Sequence, residues 1–88
     1  MIGQIIEKEQ IQDYKIISAA VDKSDVLHDT LFAAQRLGNE FKSKTTIVFQ
    51  TEDGPKRVET TVWSLTEKYI QIKSGVLIPL KSILEVEL

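Results

Sequence analysis

The sequence predicts an α+β domain: an N-terminal helical segment followed by a five-stranded antiparallel, strongly bent sheet or small barrel. Three observations carry this expectation. One stretch follows a helical period, with Leu27, Leu31, Ala34 and Leu37 on a single apolar stripe. Beyond residue 44 the pattern turns to short β-branched and aromatic runs divided by turn residues. The charge shifts at the same place: residues 1–41 hold four basic against seven acidic side chains, residues 42–88 seven against six. No Pro-, Gly- or Ser-rich linker and no repeat separates the halves. They read as two layers of one domain spanning 1–88, a mainly helical layer at 1–41 and a barrel-like sheet at 42–88.

The helix is expected from Asp25 to about Leu37. The Ser24 hydroxyl can accept from an orphan backbone N–H at its start, and Asp25 and Asp29 suit the positive end of the helix dipole. Gly38 and Asn39 tolerate the left-handed conformation and are expected to stop it, with Phe41 folding back onto the core. Residues 2–21 are harder to place. Ile2, Ile5, Ile6, Ile11, Tyr14, Ile16 and Ile17 fit neither the helical nor the strand period. Tyr14–Val21 reads as a strand by residue type or as a helix continuing from Glu7; Glu7–Asp13 contains good helix formers and no breaker, which favours the helix. Asp22-Lys23-Ser24 would then separate two helices.

Thr45–Thr51 is the first expected strand, and Glu52-Asp53-Gly54-Pro55 a hairpin turn carrying the Asp-Gly signal. Arg57–Leu65 is the second strand, Lys68–Lys73 the third, Val76–Ile78 the fourth and Ile83–Leu88 the fifth. Pro79 fixes φ and donates no hydrogen bond, so Pro79–Ser82 suits one 3₁₀ turn. If Thr66-Glu67 is a two-residue turn, Trp63 lies opposite Ile70 and Ser64 opposite Tyr69. The two hairpins then turn opposite faces of the second strand inward, so that strand must bend or bulge. Aromatic side chains are mostly buried, which favours the core for Trp63; the alternative is that one of the two faces is an exposed binding surface.

Composition excludes several functions. A net charge of −2 over 88 residues argues against strong nonspecific binding to nucleic acid through overall charge. The absence of cysteine removes disulfides, thiol nucleophiles and thiolate metal sites. No apolar run approaches the roughly 20 residues of a spanning helix. The N-terminus has neither the basic region nor the apolar length of a secretory signal, and Ile2 after Met1 excludes myristoylation. A cytoplasmic location without membrane contact is expected.

The chemistry-bearing residues read as structural. His28 is the single histidine, so a zinc site or a histidine-based catalytic pair lacks its second member. Asp22, Asp25 and Asp29 match no calcium-ligand spacing and suit a helix start instead. Gly54 and Gly75 sit in turns, outside any phosphate-binding motif. No catalytic residue, metal ligand or cofactor is expected, and the chain does not read as an enzyme.

The order helix, strand, acidic-Gly turn, long strand, short hairpin, short strand, 3₁₀ turn and last strand resembles an SH3-like or Sm-like small β-barrel over Thr45 to Leu88. Ile78-Pro79-Leu80-Lys81-Ser82-Ile83 looks like the join between the last two strands of such barrels. The resemblance implies a fold and no particular activity. The Sm family's uridine-binding residues do not carry over: Thr60 stands where that family has a mid-strand glycine. Thr66-Glu67 and Ile70-Gln71 stand nearest its Asp and Asn. Thr66–Glu87 is also similar to small bacterial pleckstrin-like domains, which end in a helix that this sequence does not show.

Two functional expectations follow. The first is a small non-enzymatic protein-interaction module, binding another protein or itself as a homo-oligomer, because the apolar residues of 2–21 need a surface to cover and edge strands can pair with another chain. The second is a single-stranded nucleic-acid-binding regulator. Its surface would combine Lys44, Lys56, Arg57, Lys68 and Lys73 with the ring of Tyr69.

Overall fold

Seven strands and one α-helix make up the structure, a computed structural model that describes residues 2–88; Met1 lies outside the described residues. In chain order, β1 is Gln4–Ile5 and a 3₁₀ turn covers Lys8–Asp13. Helix α1 is Ser24–Phe41. Strands β2 (Thr45–Thr51), β3 (Gly54–Thr60), β4 (Val62–Leu65), β5 (Tyr69–Ile72) and β6 (Leu77–Pro79) follow. A second 3₁₀ turn, Leu80–Ser82, leads into β7 (Ile83–Glu87). The strands form two sheets, ordered β1-β3-β2-β7 and β4-β5-β6. The α+β class therefore stands, but the closed barrel does not, nor does the count of five strands. The consecutive strands β6 and β7 belong to different sheets, and the expected second strand divides at Thr61 into β3 and β4.

The β2–β3 hairpin follows from its turn chemistry. Gly54 has a φ of +99°, a conformation open to glycine and costly for residues with a Cβ. The Thr51 hydroxyl closes the turn, donating to the Gly54 carbonyl (2.7 Å) and accepting from the Asp53 N–H (3.2 Å). The β-branched and aromatic residues of β2 give Ile47 and Phe49 to the core. Val58, Val62, Ile70, Ile72, Ile78, Leu80 and Ile83 join them from the other strands and the second 3₁₀ turn.

Residues 2–21 differ from the expected helix. Ile6, Ile11 and Ile16 recur every fifth residue, a spacing that places no stripe on a 3.6-residue helix. The segment instead straps over the sheet. Gln4 and Ile5 pair in parallel with Lys56 and Arg57, and the Ile6 N–H donates to the Arg57 carbonyl (2.8 Å). Glu7 and Gln10 form a reciprocal capping box on the single 3₁₀ turn. Farther on, the N–H groups of Ile17 and Ala19 donate to the carbonyls of Gln50 (3.1 Å) and Lys81 (2.8 Å). Ile6 and Ile11 are buried in the core, and Tyr14 and Ile16 pack against it. Much of the apolar content of this segment is thus covered within the chain.

Helix α1 starts where expected but runs past its expected stop. Its start is held by Asp22, whose carboxylate accepts from the Ser24 N–H (2.9 Å) and from the Ser24 hydroxyl. Ser24 is therefore a donor to Asp22, and its hydroxyl does not cap the helix. At the other end the left-handed residue is Lys42, with φ 55°, and the Lys42 N–H closes onto the Gly38 carbonyl at 3.0 Å. Gly38 lies inside the helix because the helix touches β4 there. A Cβ at Gly38 would stand 2.5 Å from the Val62 carbonyl oxygen and 2.9 Å from the Thr61 methyl carbon. Leu31 and Ala34 face the core on the same side. Phe41, expected to fold inward, is 70 % exposed, since the helix runs on through it and carries it past the sheet.

Two outcomes follow. Gly38→Ala raises helix propensity by about 0.5–1 kcal/mol, yet the clash with backbone is expected to dominate and to lower stability by a net of about 1–3 kcal/mol in urea unfolding. The second concerns Asp22, whose carboxyl is held below its ordinary value of 3.8 by the Ser24 hydroxyl and then by the Ser24 N–H. Its stabilisation is full above that ordinary value and is lost as pH falls through the lowered one. Asp22→Ala should therefore melt earlier than the native chain at neutral pH, and the gap should close in acid.

Candidate functional site

The register of β4 decides which aromatic side chain reaches solvent. The turn after β4 spans Thr66–Lys68 and is closed by the Thr66 hydroxyl, which donates to the Tyr69 carbonyl (3.1 Å). The same oxygen accepts from the N–H groups of Lys68 (3.3 Å) and Tyr69 (3.0 Å). The pairing is slid by two positions from the expected register, so that Leu65 meets Ile70 and Ser64 meets Gln71, and a slide of two leaves each side chain on its face. An unbroken ladder would next set Trp63 against Ile72, facing the core. The ladder is broken there: Val62 takes the place opposite Ile72, and Trp63 is left as the unpaired residue of a bulge. The indole is consequently 45 % exposed, where the residue type alone favoured the core.

Trp63 lines a cleft of about 540 Å³ between the end of α1, the bend from β3 to β4 and the turn after β5. Four lysines line it as well: Lys8, Lys42, Lys44 and Lys73, against the carboxylates of Glu7 and Glu59. Lys42 and Lys44 arrive from the segment that leaves α1, and Lys73 follows β5. Lys8 pairs with Glu9 at 3.2 Å. Among the described residues, Lys42, Lys44 and Lys73 form no ion pair. Thr60 and Thr61 line the cleft from the bend. The Thr60 hydroxyl is buried and has no hydrogen-bond partner among the described residues.

The structure divides the six residues of the expected surface. Lys44 and Lys73 meet in this cleft. Lys68 and Tyr69 are exposed on a separate depression of about 410 Å³, beside Asp22, Glu67 and Lys81. Lys56 is only 6 % exposed; its ammonium donates to the Gln4 side-chain oxygen at 2.9 Å and lies 4.8 Å from the centre of the Tyr14 ring. It ties the N-terminal strap to the sheet and is not at a free surface. Arg57 is half-buried beside it on β3. Sequence spacing missed Lys8, Lys42 and Trp63 as members of one surface; Lys8 reaches the cleft only through the strap, and Trp63 only through the bulge.

A second feature lies at the β7 edge. β7 pairs with β2 on one side and is the terminal strand of its sheet. Between it and the start of α1 runs an open groove of about 780 Å³ that includes Val21, Val26, Leu27, Leu84 and Val86. Val26 is 78 % exposed. β6 is an edge of the three-stranded sheet and carries the exposed Leu77.

Among the described residues, no group of three or more His, Asp or Glu side chains gathers as a metal site, and no helix is long and apolar enough to cross a membrane. Comparisons with protein-family models, with curated proteins and with solved structures found no match to the chain.

Proposed function

We propose that this chain is a non-enzymatic interaction module that associates with further copies of itself through two unlike edge strands, β7 and β6. The observation that carries this reading is the pairing of complementary features at those edges. At one, among the described residues, no strand pairs with the outer side of β7, where the Lys23 ammonium reaches the Leu84 carbonyl (3.4 Å); the strand bears Glu85 and Glu87 and adjoins the groove containing Val21 and Val26. At the other, β6 presents the exposed Leu77, with Lys73 before it and Lys81 after it. An unpaired edge offers backbone donors and acceptors to another strand, and an apolar residue entering a groove fixes the register.

The unlike charges favour a head-to-tail arrangement. Two β7 edges meeting each other would bring glutamates together, whereas β7 against β6 sets acidic residues near basic ones. Repetition of such a contact gives a closed ring or an open filament.

Sedimentation velocity tests the reading. The native chain should sediment as a species larger than the monomer at about 100 μM, and Leu77→Lys and Val26→Lys should each weaken association at least about tenfold. Both side chains are exposed, so the monomer fold should persist in each variant, which circular dichroism checks. A native chain that stays monomeric at about 500 μM would refute it.

A further inference from the structure

We infer that the cleft at Trp63 binds a nucleotide, its phosphate held among Lys42, Lys44 and Lys73 and its base lying against the indole. The inference does not rest on self-association: the cleft shares no residue with the β7 groove, and of the residues named at the β6 edge only Lys73 also lines it.

The charge argument runs against the composition of the whole chain, which carries −2. At physiological salt the screening length is about 8 Å, so distant carboxylates count for little and the local balance decides. Locally the cleft has four lysines and two glutamates. Three of those lysines are not committed to a carboxylate among the described residues. At the helix end beside them the N–H groups of Lys42 and Ser43 close onto the carbonyls of Gly38 (3.0 Å) and Leu37 (3.3 Å), while the last helical carbonyls remain a negative dipole end that the three ammonium groups offset.

A cluster of lysines alone would select for charge. The indole adds selection for a flat ring, since every nucleobase has a face that stacks on an aromatic side chain. The indole is available because the bulge removes Trp63 from the ladder. The wall adds a polar group: Thr60 is 3 % exposed, and its hydroxyl is without a partner among the described residues. Such buried groups are ordinarily satisfied, so this hydroxyl behind the cleft wall is placed to hold a water that could bridge to a ligand. The volume of about 540 Å³ lies within the range of small-ligand sites.

The same chemistry is offered by a free nucleotide and by a unit of a single strand, and the experiment separates them. Trp63 is the single tryptophan of the chain, so its fluorescence reports this cleft alone. Uridine monophosphate, adenosine monophosphate and an oligouridylate of about ten residues are titrated separately, with anisotropy of the labelled oligomer as a second readout. Saturable quenching is expected, and Trp63→Ala should weaken oligomer binding by about tenfold or more while Trp63→Phe retains most of it. Lys44→Glu with Lys73→Glu should weaken binding at least about tenfold, whereas Lys68→Glu and Tyr69→Ala should leave it unchanged. These side chains are all exposed, and circular dichroism verifies the fold of each variant.

An oligomer that binds at least about tenfold more tightly than either monophosphate, with a log–log salt slope near −2 for about three phosphate contacts, assigns the cleft to a single strand. Equal affinities assign it to a free nucleotide. Absence of saturable quenching by all three ligands up to about 1 mM overturns the inference. So does equal binding of poly-glutamate, which would reduce the cleft to a general anion attractor. Equal weakening by Lys68→Glu would also overturn it, by removing the assignment to this cleft.

Discussion

At Thr60-Thr61-Val62 the chain leaves one sheet and enters the other, and all three residues are buried. The bend is fixed from both sides. The Lys73 N–H donates to the Thr61 carbonyl at 2.9 Å, joining the start of β4 to the end of the β5 region. From the other side α1 presses its backbone onto Val62, at a distance that leaves no room for a Cβ at Gly38. Each sheet is small, with four strands or three. A chain of this length buries only about 60–65 % of its unfolded surface. The two sheets therefore depend on a shared core, and Ile47 and Val58 from one and Val62, Ile70 and Ile72 from the other form a single cluster.

The surface features follow from the same bend. A strand that bends sharply sheds a residue from its ladder, and here that residue is Trp63. The close seating of α1 brings the segment holding Lys42 and Lys44 beside the bend, while the turn after β5 brings Lys73. The cleft is thus assembled from pieces that are separate in sequence. The edges of β6 and β7 arise because the second 3₁₀ turn passes the chain from one sheet to the other without pairing the two strands.

Much of the strand pattern was legible because it is local. Thr45–Thr51 was read with its observed bounds, since β-branched residues and an Asp-Gly turn both act over a few positions. The start of α1 was legible to within one residue for the same reason. What failed was non-local. Gly38 permits either a left-handed stop or a close approach, and only the position of β4 chooses between them. The expected pairing of Trp63 with Ile70 assumed a turn at Thr66-Glu67; the pairing slides by two positions, which keeps each side chain's face, and the bulge alone reverses its burial. Lys56 reads as surface by type, but the strap covers it. The strap itself has no periodic signal, because its isoleucines are spaced for a chain that follows the sheet. Of the candidate cleft, Lys44 and Lys73 were visible as basic residues, but their proximity to Trp63 was not.

Native-state hydrogen exchange tests most directly whether the bend unites the two sheets. The amide of Lys73, bonded to Thr61 across the bend, is compared with those of Ile47 and Phe49 in the four-stranded sheet. The account predicts that all three exchange with one free energy, that of global unfolding, and shift together with denaturant. If Lys73 and the β4-β5-β6 amides instead open at distinctly lower free energy while Ile47 and Phe49 stay protected, the sheets are separate units and the account is contradicted.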